Sequence, residues 1–134
     1  MPSRKPLPQQ LPKICIALGL PTIEKLLQHA RNEIESGERF LEFRLDYLPD
    51  PSAGANAIRE FLEANPEVSI LATCRRHQNH GRFNGSIDEQ IRILEAAVRA
   101  GACAVDVEIE SAENATGKLD HLRGESTLIL SYHN

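Results

Sequence analysis

The chain has no tryptophan and few other aromatics, with two Tyr and four Phe in 134 residues. A core built from it must rest on Ile, Leu, Val and Ala, the aliphatic packing of α/β folds. Its cysteines, Cys15, Cys74 and Cys103, stand singly in apolar runs with no Cys-x-x-Cys spacing. No disulfide framework is expected, and buried free thiols in a reducing, cytoplasmic setting are. No run of apolar residues is long enough for a membrane span. The first dozen residues, MPSRKPLPQQLP, are proline-rich and lack an apolar stretch, so residues 1–12 read as a flexible N-terminal tail and not as a signal peptide. Excess positive charge is missing too. The formal charge is −4 and no basic run exceeds Arg4-Lys5 or Arg75-Arg76, which argues against a nucleic-acid partner.

What is present is an alternation. From Lys13 onward, short runs rich in β-branched residues alternate with longer segments of helical spacing, the pattern of βα units in one domain over 13–134. The expected strands are Ile14–Leu18, Phe40–Leu45, Val68–Cys74, Cys103–Ile109 and Ser126–Ser131. Between them lie a helix capped by Thr22 and ended by Gly37, one blocked by Pro66, one opened by the capping box Ser86-x-x-Glu89 and stopped by Gly101, and a weaker segment from Ser111 to Arg123.

Five strands and four crossover helices in strict order fit either an open doubly wound sheet or the first five staves of a (β/α)8 TIM barrel. The first βα turn, Ala17-Leu18-Gly19-Leu20-Pro21-Thr22, has nothing like Gly-x-Gly-x-x-Gly, which disfavours a nucleotide fold. Polar residues gather toward the C-terminal ends of the strands. By strand alternation Glu42, Arg44 and Asp46 share one face, as do Thr73 and Arg75, then Asp106, Glu108 and Glu110, and finally Ser131 and His133. A barrel accounts for this, because its chemistry sits where the C-terminal strand ends converge on the axis. The alternative is a structural ring of ion pairs in the barrel mouth.

The motifs Lys13-Ile14-Cys15-Ile16, Glu42-Phe43-Arg44-Leu45-Asp46, Thr73-Cys74-Arg75, Gly81-Arg82-Phe83-Asn84-Gly85, Asp106-Val107-Glu108 and Ser131-Tyr132-His133-Asn134 together resemble type I 3-dehydroquinate dehydratases, shikimate-pathway lyases on a (β/α)8 barrel. The resemblance implies that a lysine forms an iminium with 3-dehydroquinate and that His133 is the catalytic general acid/base. It implies substrate-binding roles for Glu42, Arg44 and Arg75, supporting roles for Asp106 and Glu108, and neither cofactor nor metal.

Departures from the family pattern are visible. None of the lysines, Lys5, Lys13, Lys25 and Lys118, falls at a C-terminal strand end. The resemblance puts the iminium-forming lysine on a sixth strand, beyond Asn134. Asn79 stands where many members have a glutamate near the base, and it carries no charge to raise a histidine pKa. Ala17 replaces a residue that presents a hydroxyl in some members. The expectation is therefore an N-terminal portion of the enzyme, inactive alone, that self-associates or needs a complementing C-terminal half. A split-barrel binding module is the alternative, since strands one and five would present open edges. A metal site using His77 or His80 with Asp106 and Glu108 lacks regular ligand spacing.

Overall fold

The computed structural model describes residues 14–108, 111–112, 124 and 126–131. Five strands, β1 (Ile16–Leu18), β2 (Phe40–Arg44), β3 (Ser69–Thr73), β4 (Ala104–Glu108) and β5 (Thr127–Ser131), form one sheet in the order β1-β2-β3-β4-β5. Every neighbouring pair is parallel. The helices among the described residues are α1 (Ile23–Glu35), α2 (Gly54–Ala64) and α3 (Ile87–Ala100). That is three where the sequence suggests four. The fourth expected helix falls on 111–123, of which only Ser111 and Ala112 are described, both helical.

Local chemistry sets the boundaries. The Thr22 hydroxyl accepts the Lys25 N–H at 3.1 Å and opens α1, and Gly37, at φ +97°, follows its end. In α3 the Ser86 side chain accepts the Glu89 N–H while the Glu89 carboxylate accepts the Ser86 N–H, both at 3.1 Å. The strands run slightly shorter than the sequence suggests. β2 stops at Arg44 because Leu45–Tyr47 closes into a 3-10 turn, so Asp46 lies beyond the strand and its direction no longer follows from alternation.

Sheet order and helix placement decide between the two architectures. A doubly wound sheet reverses its strand order and carries helices on both faces. Here Leu18, Leu41, Phe43, Ile70, Ala72, Val105 and Val107 share one buried cluster with residues from α1, α2 and α3. All three helices thus cover the same face. Phe43, fully buried, meets Phe61 of α2 with ring centroids 5.9 Å apart, a contact of the kind that contributes about 0.5–1.5 kcal/mol beyond burial.

The opposite face has its own small cluster: Phe40, Leu71, Cys103 and Ala104, with Cys15 and Ile129 against it and, among the described residues, no helix residue. In a flat sheet, strands one and four would stand about 14 Å apart at the usual spacing. Cys15, just before β1, nevertheless packs against the same cluster as Cys103, just before β4. The sheet curves about an axis on this side, as an incomplete (β/α) barrel does. Cys74 and Cys103 are buried and Cys15 half-buried, all free thiols.

Candidate active site

Above the apolar layer, toward the C-terminal strand ends, the same face turns polar. Register sets Arg44 beside Thr73, Thr73 beside Asp106, and Glu108 beside Ser131. The Thr73 hydroxyl donates to Glu42 Oε2 at 2.5 Å, joining β3 to β2. Arg75 donates through Nη2 to Asp106 Oδ1 at 3.0 Å, and the Ser131 hydroxyl donates to the same oxygen at 2.6 Å. Asp106 therefore ties β3, β4 and β5 together. Such charge-assisted bonds hold direction as well as position, which a substrate site requires.

Arg44 is clamped from the other side. Its Nε and Nη2 donate to Asp46 Oδ1 and Oδ2 at 3.0 and 2.9 Å, a bidentate pair in which the Asp46 side chain has no exposed surface. Burial disfavours the Arg44 cation, but the bonds and charge of Asp46, with Glu42 and Tyr47, outweigh it and hold the guanidinium above its ordinary pKa. Asp46 Oδ2 also accepts the Arg82 N–H at 3.1 Å, so one carboxylate fixes both Arg44 and the loop after β3.

Glu108, 1% exposed, forms a second buried node. It accepts the Arg76 N–H at 2.9 Å, Gln90 Nε2 at 2.6 Å and the Ser111 hydroxyl at 3.3 Å, and lies 3.7 Å from Arg75 Nε. Gln90 also donates to the Cys74 carbonyl at 2.9 Å. Alternation along β4 assigned Glu108 to the axis face, and at the strand end it instead bridges to α3. Its role is support, since its oxygens are engaged within the protein.

Sequence reasoning missed Gln90 and Tyr47. Gln90 sits on the apolar stripe of α3 with Ile87, Ile91 and Leu94, and a polar residue on such a stripe is the signal that could have exposed it. Tyr47 is revealed only by the fold. The Arg44 guanidinium carbon is 5.1 Å, and that of Arg82 4.0 Å, from the centre of its ring.

Glu42, Arg44 and Arg75 are thus brought to one rim. His133, the expected base, lies outside the described residues, as do Glu110, Lys5, Lys13 and Lys118. Lys25 is exposed on α1. Asn79 is buried in a 3-10 turn, while His77 and His80 are exposed. Among the described residues no group of three or more His, Cys, Asp or Glu is arranged to hold a metal, and no helix is long and apolar enough to cross a membrane.

Residues 14–134 match the family model for type I 3-dehydroquinase. The 3-dehydroquinate dehydratase of Desulfotalea psychrophila is 37% identical over 123 residues, covering 90% of this chain and 51% of the relative. That of Methanothermobacter thermautotrophicus is 35% identical over 122 residues, covering 91% and 52%. The chain spans about half the length of the curated relatives it matches. The solved structure of 3-dehydroquinate dehydratase from Enterococcus faecalis superposes with a TM-score of 0.78 at 23% identity, over 92% of this chain and 54% of that one, and supports the fold alone. The motifs at the strand ends and the match over nearly the whole chain lead to one conclusion: this chain belongs to the type I 3-dehydroquinase family.

Proposed function

We propose that this chain supplies the N-terminal half of the active site of a type I 3-dehydroquinate dehydratase, a cytoplasmic lyase that removes water from 3-dehydroquinate to give 3-dehydroshikimate. The observation that carries the reading is the cross-linked row of Glu42, Arg44, Thr73, Arg75, Asp106 and Ser131 at the ends of four adjacent parallel strands. In this reading Glu42 and Arg44 hold the substrate's hydroxyls and Arg75 makes a further substrate contact. His133, which the family resemblance assigns as the base, is the general acid/base.

The chemistry requires a lysine at a strand end, and the family resemblance places it on a further βα unit, in cis or on a complementing chain. Its amine condenses with the substrate ketone and releases water, giving an iminium. His133 then takes the neighbouring proton, and the electrons of that C–H bond flow into the iminium to form an enamine. The enamine expels the β-hydroxyl, which leaves as water with the proton from the imidazolium, and hydrolysis of the resulting iminium returns the amine. The pairing of Arg44 with Asp46 and of Arg75 with Asp106 supports this assignment, because each carboxylate holds a guanidinium in a fixed direction at the strand ends.

The test combines the chain with the C-terminal half of a relative such as that of Desulfotalea psychrophila. Borohydride with 3-dehydroquinate then leaves a covalent adduct on a lysine of the added half, read by intact mass, and His133→Ala stops turnover while trapping persists. Full turnover in that variant, or no adduct in the wild-type pair, overturns the assignment. The open edges at β1 and β5 favour a second reading, a split-barrel binding module that works only with a partner chain. A stable one-to-one complex that binds substrate without turning it over would establish it.

A further inference from the structure

We propose that Asn84 is a site of self-modification: the Gly85 backbone nitrogen attacks its side-chain amide, and the isoaspartyl product loosens the loop after β3. The described residues include five asparagines, Asn32, Asn56, Asn65, Asn79 and Asn84, and the fold separates the last from the others. Cyclisation of an asparagine needs a free side-chain amide, an uncrowded following residue and a backbone nitrogen not held in a hydrogen bond. Asn32 and Asn56 lie inside α1 and α2, where helical geometry fixes the backbone on both sides. Asn65 donates from Nδ2 to the Phe61 carbonyl at 3.1 Å and precedes Pro66, which has no N–H to attack with. Asn79 is buried, and the N–H of the next residue, His80, donates to the His77 carbonyl at 3.3 Å.

Asn84 meets all three conditions. It is exposed in the loop between β3 and α3, and its side chain makes no hydrogen bond among the described residues. The Gly85 N–H likewise has no acceptor among the described residues. Gly85 has no side chain to hinder the approach, and packing keeps it so, because a Cβ there would lie 2.3 Å from Phe83 Cζ. Water is the only co-reactant. The Gly85 nitrogen, losing its proton to solvent, bonds to Asn84 Cγ. The Cγ–Nδ2 bond breaks, and ammonia departs to leave a five-membered succinimide. Water then opens the ring at either carbonyl. One opening gives aspartate, and the other gives isoaspartate, whose main chain runs through Cβ and Cγ and is longer by one methylene.

That extra length falls in a connection of two residues, Asn84 and Gly85, between two anchors. On one side Phe83 is buried, donates to the Arg75 carbonyl at 3.0 Å and accepts the His77 N–H at 2.9 Å. On the other, Ser86 opens α3 in its capping box with Glu89. The cap is backed by a whole helix, so Phe83 is the anchor that gives way. The Arg82 N–H ties the same loop to Asp46, which orients Arg44, so the modification reaches the candidate active site. Aspartate leaves the chain length unchanged and the loop in place.

The test ages the 134-residue chain in mildly alkaline buffer, folded or unfolded in guanidinium, and weighs its tryptic peptides. Cleavage after Arg82 and Arg92 isolates Asn84 in residues 83–92, apart from Asn79 in residues 77–82. In the folded chain that peptide should gain the mass difference of OH for NH2 and split into two products of equal mass. The peptides with Asn32, Asn56, Asn65 and Asn79 should keep their masses, and so should 83–92 in Asn84→Gln, whose longer side chain disfavours the ring. The aged chain should exchange its His77 and Phe83 amides faster than the fresh chain, and aged Asn84→Gln should not. No gain at 83–92, a gain shared equally with the other asparagines, or a rate slowed more than about ten-fold by folding overturns the site. Exchange unchanged by ageing overturns the loosening.

Discussion

Replacing Glu108 by alanine should be among the most damaging single changes to this fold. The substitution removes acceptors from the Arg76 N–H, Gln90 Nε2 and the Ser111 hydroxyl, and takes the 3.7 Å counter-charge from Arg75 Nε, all where Glu108 is 1% exposed. Each stranded buried donor costs about 1–3 kcal/mol, and losing one partner of a buried ionic group about 3–5 kcal/mol. These overlap, so we take about 3–5 kcal/mol for the whole. At roughly 2.1 cal/mol/K of unfolding entropy per residue, a chain of 134 residues should lose about 10–18 °C in Tm. Glu108→Gln keeps the shape but has one acceptor oxygen where two are used, so either Arg76 or Gln90 faces a donor. It should cost about 1–3 kcal/mol, or roughly 4–11 °C. Circular dichroism melts at one fixed protein concentration provide the measurement, because association also shifts Tm. A Tm for Glu108→Ala within about 3 °C of wild type would refute the reasoning, since that corresponds to under about 1 kcal/mol.

Cys15 is pushed up to about 12 by burial, with Glu42 and Cys103 adding to the shift, and burial also raises Cys74. The folded state keeps these protons longer than the unfolded state, so their contribution to stability is intact below about pH 9 and declines from there toward pH 12. Urea midpoints at pH 8 and pH 10.5 should show that decline, and Cys15→Ala should lessen it. Gly81→Ala should displace the loop after β3 and break the bridge between Arg76 and Phe83, read as faster amide exchange at His77 and Phe83, whose N–H groups donate to Phe83 and Arg75 carbonyls. Unchanged exchange would show that the loop absorbs the added methyl. Expressed alone, the chain should self-associate through its open edges and interior face, and a monodisperse, cooperatively melting monomer by light scattering would count against this.

Much of this architecture is written locally. Thr22, Gly37, Ser86, Glu89 and Gly101 act within a few residues of themselves, so the bounds of α1 and α3 were legible in the sequence. Alternation along β2, β3 and β4 likewise separated Leu41, Phe43, Ala72 and Val105 from Glu42, Arg44, Thr73 and Asp106. That separation depends only on the two-residue period of a strand.

Tertiary structure decided whatever depends on distance along the chain. Strand order and the placement of all three helices on one face separated a curved barrel from an open sheet, a choice that short connections leave undetermined. The fold also turned Asp46 off β2 through a 3-10 turn, to hold both Arg44 and the loop 36 residues away, and brought Gln90 and Ser111 onto Glu108. A strand's periodicity says which side a residue faces. Its partners are decided by the neighbouring elements and by the need of each buried polar group for a bond.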